Sequence, residues 1–213
     1  MNAEALFLPH LFSLHAKFPR LRIVLEHATT RAAIEAVKLC GPAVACTITA
    51  HHLALTVDDW AGQSWNYCKP VAKLPDDRQA LQQVIKEGTV DMSSENTHQL
   101  LGHPQFFLGS DSAPHPCCMK STSTPSQGCA AGIYTSPILL PLVAHLLDSF
   151  GAVDHLENFV SVHGRRFYQR QITSQAPRVA LQKVGQKIVP EFSLHGETVV
   201  PFWAGKEICW SIV

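Results

Sequence analysis

Twelve histidines, seven cysteines and seventeen acids stand in this chain of 213 residues, and a few of them occupy places where chemistry is done. His27 follows Leu21-Arg22-Ile23-Val24-Leu25-Glu26, an apolar, β-branched run that reads as a buried strand giving way to a loop. A neutral imidazole there could bind zinc, with Glu26 or a carbonyl fixing its tautomer. The other reading is a histidine satisfied within the structure. Asp111 lies in Gly109-Ser110-Asp111-Ser112-Ala113-Pro114-His115. Small neighbours let a metal or substrate come close, and a carboxylate there could both ligate and move protons. A turn or helix cap is its alternative use. His115 is either an anion-binding group or a surface histidine. His51 and His52 follow the run Thr47-Ile48-Thr49-Ala50. Alternation along a strand would send one into a pocket and the other away, in a supporting rather than a ligating role. His115, Cys117, Cys118 and Cys129 lack the two close pairs that mark a structural zinc site. His195-Gly196-Glu197 reads as a turn.

The elements that must position these residues alternate. A helix over residues 3 to 17 is stopped by Pro19, and the strand ending at His27 follows. Thr29 or Thr30 caps a helix from Arg31 to Leu39, which Gly41-Pro42 ends. A second strand runs from Val44 to Thr49, a helix from Pro75 to Lys86 carries Asp76 and Asp77 in its first turn, and a third strand covers Gln105 to Gly109. This order predicts an α/β fold with a parallel sheet, whose ligands gather beyond the carboxyl ends of the strands. Pro114 to Pro137 reads as a long functional loop. Further helices are expected at Ser136 to Phe150 and Asp154 to Tyr168, and terminal strands at Glu197 to Pro201 and Glu207 to Ile212.

Composition narrows the class. With 46% hydrophobic and 16% charged residues the chain can bury a core, and 17 basic against 17 acidic residues gives no pull toward nucleic acid. The apolar run from Ile133 to Leu147 is broken by Pro137, Pro141 and His145, so no membrane span is expected. An odd number of cysteines without framework spacing, and an N-terminus unlike a signal peptide, predict free thiols and a cytoplasmic protein. A single domain over residues 1–213 is expected, with no internal repeat.

Five motifs in order carry a resemblance. Leu25-Glu26-His27-Ala28-Thr29-Thr30, Thr47-Ile48-Thr49-Ala50-His51-His52-Leu53, Tyr67-Cys68-Lys69-Pro70, Phe107-Leu108-Gly109-Ser110-Asp111-Ser112-Ala113-Pro114-His115 and Val200-Pro201-Phe202-Trp203-Ala204-Gly205 together resemble the class II dihydroorotases of the amidohydrolase superfamily. The resemblance implies a TIM barrel with two zinc ions at its strand ends. His27 is similar to the second-zinc histidine of strand six. Asp111 is similar to the strand-eight aspartate that ligates the first zinc and serves as general base and then acid. His115, with the backbone near Ala131 and Gly132, matches the part of the family site that holds the substrate carboxylate. Lys69 falls where backbone N–H and C=O grip the pyrimidine ring. The implied reaction is the reversible closure of N-carbamoyl-L-aspartate to (S)-dihydroorotate and water, in pyrimidine biosynthesis.

The sequence has no His-x-His pair and no counterpart of the family's strand-four lysine. The resemblance therefore implies only the C-terminal part of a (β/α)8 barrel, about strands six to eight, with C-terminal helices and short strands. The zinc ligand set is incomplete, and the isolated chain is expected to be inactive. Two open sheet edges and an uncovered inner face are expected, with a homodimer or a complementing N-terminal half as partner. The alternatives are a non-catalytic associating or regulatory subunit, or an amidohydrolase for another cyclic amide.

Overall fold

Helix α1 (Ala3–Lys17) opens the chain in the computed structural model, which describes residues 1–90, 99–121, 128–171 and 177–213. Glu4 in its first turn and Lys17 in its last complement the helix dipole, and Leu8 and Leu11 bury its inner side. Strand β1 (Ile23–Leu25) follows, then α2 (Arg31–Cys40) and β2 (Val44–Ile48). The Thr30 hydroxyl accepts the Ala33 N–H at 3.1 Å, so the second of the two expected threonines is the cap. Gly41, at φ +73°, supplies the left-handed turn that ends α2.

Between β2 and the third parallel strand lie α3 (Ala50–Ala54), α4 (Val57–Trp60), a 3-10 turn (Ser64–Asn66) and α5 (Pro75–Lys86). An antiparallel pair, β3 (Gly88–Val90) and β4 (Gln99–Leu101), then leads into β5 (Phe106–Leu108). That pair was not expected from the sequence. The sheet order is β1-β2-β5, all parallel, with Ile23 opposite Val44 and Cys46 opposite Phe106. Each strand is followed by helix, the repeating unit of a barrel.

After β5 come α6 (Cys117–Lys120), α7 (Leu139–Ser149), a 3-10 turn (Val153–His155), a π turn (Asn158–Val162) and α8 (His163–Phe167). The helix expected over Asp154 to Tyr168 is therefore assembled from three helical types. Short strands end the chain: β6 (Leu181–Gln182), β7 (Gln186–Lys187), β8 (Phe192–Leu194), β9 (Glu197–Val199), β10 (Glu207–Ile208) and β11 (Ser211–Ile212). The strand expected over Glu207 to Ile212 divides into β10, paired with β7, and β11, paired with β6. At the division the Cys209 N–H donates to His145 Nδ1 and Trp210 Nε1–H donates to the Asp148 carboxylate, each at 3.1 Å. His195 and Gly196 form the turn between β8 and β9, with φ of +51° and +83°.

Alternation divides the sheet into two faces. Val44, Cys46, Ile48 and Phe106 join Ile34, Val37, Val84, Leu142 and Leu147 in one apolar core beneath the helices. Thr47 and Phe107 point to the other face. That face was expected to be bare, and at Phe107 it is not. The Phe167 and Tyr168 rings meet the Phe107 ring at centroid distances of 5.9 and 5.8 Å, and the Arg22 guanidinium donates to Phe167 O at 3.1 Å. Residues at the end of α8 thus lie across the inner face, because the aromatic side chain there can shed water against them. No helix among the described residues is long and apolar enough to cross a membrane.

Candidate active site

His27 and Asp111 stand just past the carboxyl ends of β1 and β5, and both have left-handed backbone, φ +46° and +40°. A non-glycine residue adopts that conformation only where its surroundings hold it, and functional sites are where such residues collect. Thr47, on the central strand, is one of the restraints. Its Oγ1 accepts the His27 N–H at 2.7 Å and donates to Glu26 Oε2 at 2.6 Å. One oxygen of the Glu26 carboxylate is thereby engaged by Thr47. Behind His27, the Glu4 carboxylate of α1 accepts the Thr29 N–H at 2.8 Å and the hydroxyls of Thr29 and Thr30. The Gly109 Cα approaches Thr47 so closely that a Cβ on it would lie 2.7 Å from the Thr47 Cβ.

The two side chains share one electrostatic environment. Desolvation raises the Asp111 pKa above the ordinary carboxylate value, His27 nearby draws it down, and Glu26 pushes it up. No described residue donates a hydrogen bond to the Asp111 carboxylate, so its use as a turn or helix cap finds no support. A carboxyl group of this kind is suited to moving a proton.

The segment expected to hold a substrate carboxylate is built around Gly132. A Cβ there would lie 2.7 Å from Ala113 Cβ and 2.8 Å from His115 Cδ2, so only glycine admits this packing. His115 Nε2 lies 3.1 Å from Ala131 O, and the Gly132 N–H donates to Tyr67 O at 3.0 Å. The Ala131 N–H is not taken up by a described residue. Lys120, buried on α6, donates to the carbonyls of Tyr67, Ala130 and Gly132 at 2.9 to 3.1 Å, clasping two loops together. A cleft of about 270 Å³ opens here, lined by His115, Lys120, Gly132, Tyr134 and Phe202 among others. His27 and Asp111 lie outside its lining. Lys69 is exposed, joined to Pro70 by a cis peptide bond, and its N–H and C=O are not taken up by described residues.

His51 and His52 depart from expectation. The strand stops at Ile48, and Thr49 caps α3 by accepting the His52 N–H. Consecutive residues on a helix are about 100° apart, not opposed, and both rings turn inward, 4.5 Å between centroids. His52 Nδ1 meets Thr49 Oγ1 at 2.8 Å and Nε2 meets Pro70 O at 2.9 Å. Burial lowers the pKa of His51 well below its usual value and that of His52 to about 4, with His27 adding to both effects. Cys68 lies beside them, its pKa pushed up to about 11 by burial, with the Asp111 charge reinforcing the shift. Sequence reasoning placed Cys68 in a motif but gave its thiol no role. The capping threonine three residues before His52 was the signal that both histidines begin a helix.

Zinc can be weighed against these donors. Among the described residues one group of three or more His, Cys, Asp or Glu ligands converges, namely His51, His52 and Cys68. His27 and Asp111 belong to no such group, and two donors do not complete a four-coordinate zinc. The described residues therefore do not by themselves fit a two-zinc centre.

No family model matches the chain. Among curated proteins, the dihydroorotase of Mycosarcoma maydis is 47% identical over all of this chain and 62% of its own length. That of Saccharomyces cerevisiae is 38% identical over all of this chain and 57% of its own. A solved structure of the Saccharomyces cerevisiae dihydroorotase in complex with 5-fluoroorotic acid matches with a TM-score of 0.85 at 37% identity, covering 100% of this chain and 57% of that one. An L-hydantoinase from Arthrobacter aurescens, 15% identical with a TM-score of 0.75, shares the fold. The chain spans about three fifths of the length of these curated relatives.

Proposed function

We propose that the chain, which spans about three fifths of the curated dihydroorotases it is similar to, belongs to their family and carries part of a site interconverting N-carbamoyl-L-aspartate and (S)-dihydroorotate. Its three-stranded parallel sheet is part of a TIM barrel of the amidohydrolase type. The observation that carries the reading is the electrostatic meeting of His27 and Asp111 at the ends of two barrel strands.

In the hydrolytic direction water adds to the ring carbonyl carbon, the carbon–nitrogen bond breaks, and a proton must travel from the water to the departing nitrogen. Asp111 is placed to carry it, and its raised pKa makes the carboxylate a better acceptor for the proton that leaves the water. His115 and the Ala131 N–H face the substrate carboxylate, with Gly132 holding that segment in place. The backbone of Lys69 pairs with the ring amide. That the similar solved structure holds 5-fluoroorotic acid, a cyclic pyrimidine carboxylate, supports this ligand class. Family members use zinc to polarise the carbonyl and to acidify water. His27 and Asp111 would each supply one ligand to such ions.

The test is reconstitution. The purified chain is expected to show no ring opening of dihydroorotate. Adding the segment of the Mycosarcoma maydis dihydroorotase that this chain does not span is expected to restore it, and Asp111→Asn to abolish the restored activity. Turnover by the chain alone, no restoration, or a fully active Asp111→Asn would each overturn the proposal.

A further inference from the structure

The three side chains behind His27 remain without a role in that reaction. His51, His52 and Cys68 are 0%, 1% and 2% exposed, and their ligand atoms all lie within 4.8 Å of one another. Both ring nitrogens of His51 are buried with no hydrogen-bond partner among the described residues. A neutral imidazole sealed in this way forfeits two hydrogen bonds it would make in water, a loss that a ligand in the cluster would recover.

We propose that His51, His52 and Cys68 form a buried metal site of their own, distinct from the His27–Asp111 pair, that takes zinc(II) through one thiolate and two imidazoles. Mixed sulfur and nitrogen donors are the set zinc prefers. Zinc–nitrogen and zinc–sulfur bonds place ligand atoms roughly 3.3 to 3.8 Å apart in a tetrahedron. Cys68 Sγ and His52 Nε2 already stand 3.6 Å apart, so the remaining contraction is small. His52 is held as metal-bound histidines are, with Nδ1 against the Thr49 hydroxyl and Nε2 turned into the cluster. The Pro70 carbonyl, 2.9 Å from His52 Nε2 and 3.3 Å from Cys68 Sγ, is the nearest fourth donor.

Protons balance simply. Before binding, one tautomer of His52 donates Nε2–H to Pro70 O while Cys68 keeps its thiol proton. On binding, the His52 proton shifts to Nδ1 and is donated to Thr49 Oγ1, freeing Nε2 for the metal. The thiol proton leaves to solvent. His51 contributes whichever nitrogen faces the ion. The net change is one proton released for each ion bound.

Cobalt(II), which substitutes for zinc in tetrahedral sites and shows thiolate ligation by an intense near-ultraviolet charge-transfer band, is the probe. Titrating the full chain with cobalt chloride is expected to give that band at one equivalent, with one proton released. Cys68→Ser is expected to abolish the band, and His51→Gln to weaken binding by at least tenfold. His27→Gln and Asp111→Asn are expected to leave the band intact, which separates this site from the proposed catalytic pair. A Cys117→Ser/Cys118→Ser/Cys129→Ser variant is expected to keep it, a readout that does not depend on how well Cys68→Ser folds. Absence of the band in the unaltered chain, or its loss in the triple variant, would overturn the proposal. A buried water on His51 would give no band at all.

Discussion

Thr47 shows how much one hydroxyl can do. It accepts the His27 N–H and donates to Glu26, so Thr47→Val removes both partners at once. We expect a loss of about 1–3 kcal/mol, because the His27 N–H is left without its acceptor, measured as a lower urea midpoint at unchanged slope. A midpoint equal to that of the unaltered chain would show that the hydroxyl does not matter. The buried histidines make stability depend on pH. His52 titrates near 4 when folded and near 6.5 when unfolded, and His51 is displaced the same way. Between those values the unfolded chain binds more protons, so the stability these two histidines contribute is fully present above pH 6.5 and is lost as pH falls toward 4. His52 alone contributes about 3 kcal/mol to that loss, and His52→Gln should flatten the profile of melting temperature against pH. At this scale the placement of His27 and Asp111 just past two strand ends was legible, because each follows an apolar run. Cys68 was not, since a lone cysteine in a loop has no periodicity, and its neighbours are sixteen residues or more away in sequence.

The same contrast holds for whole elements. Helices α2 and α5 could be read almost to the residue, because Thr30, Gly41 and Pro75 are strong boundary signals. The turn from β2 into α3 was harder to read, since Thr49-Ala50-His51 fits strand alternation and Thr49, as a helix cap before His52, was the one signal against it. The pair β3 and β4 has three residues in each strand, too few to show a period. The link between α1 and the loop after His27 rests on Glu4, whose carboxylate accepts three hydrogen bonds. Glu4→Gln is therefore expected to cost about 1.5–3 kcal/mol and to raise hydrogen exchange at the Thr29 amide. Unchanged protection there would contradict this role. Gly132→Ala should cost a further 1–3 kcal/mol by overpacking against Ala113 and His115, roughly the range for an inserted methyl group, and should show in thermal unfolding.

For the molecule as a whole, the family fold was legible from five motifs in order, whereas the cover over the inner face was not. Nothing in the residues of α8 alone says that Phe167 and Tyr168 meet Phe107. Other apolar surface stays in water. Phe7, Leu14, Phe18 and Leu21 are each 42–52% exposed along one stripe of α1 and the turn after it, and β1 and β5 are each paired on one side only in the parallel sheet. Surface of this kind drives association. Sedimentation velocity is expected to show self-association that grows with concentration and that Phe7→Glu/Leu14→Lys suppresses. A monomer at every concentration would refute it.

The clasp at Lys120 has a chemical corollary. With its ammonium enclosed by three carbonyl oxygens and only 3% of the residue reachable, this amine should be the slowest lysine in the molecule to be acylated by a surface reagent. Its labelling would then act as a clock for how often the two joined loops come apart.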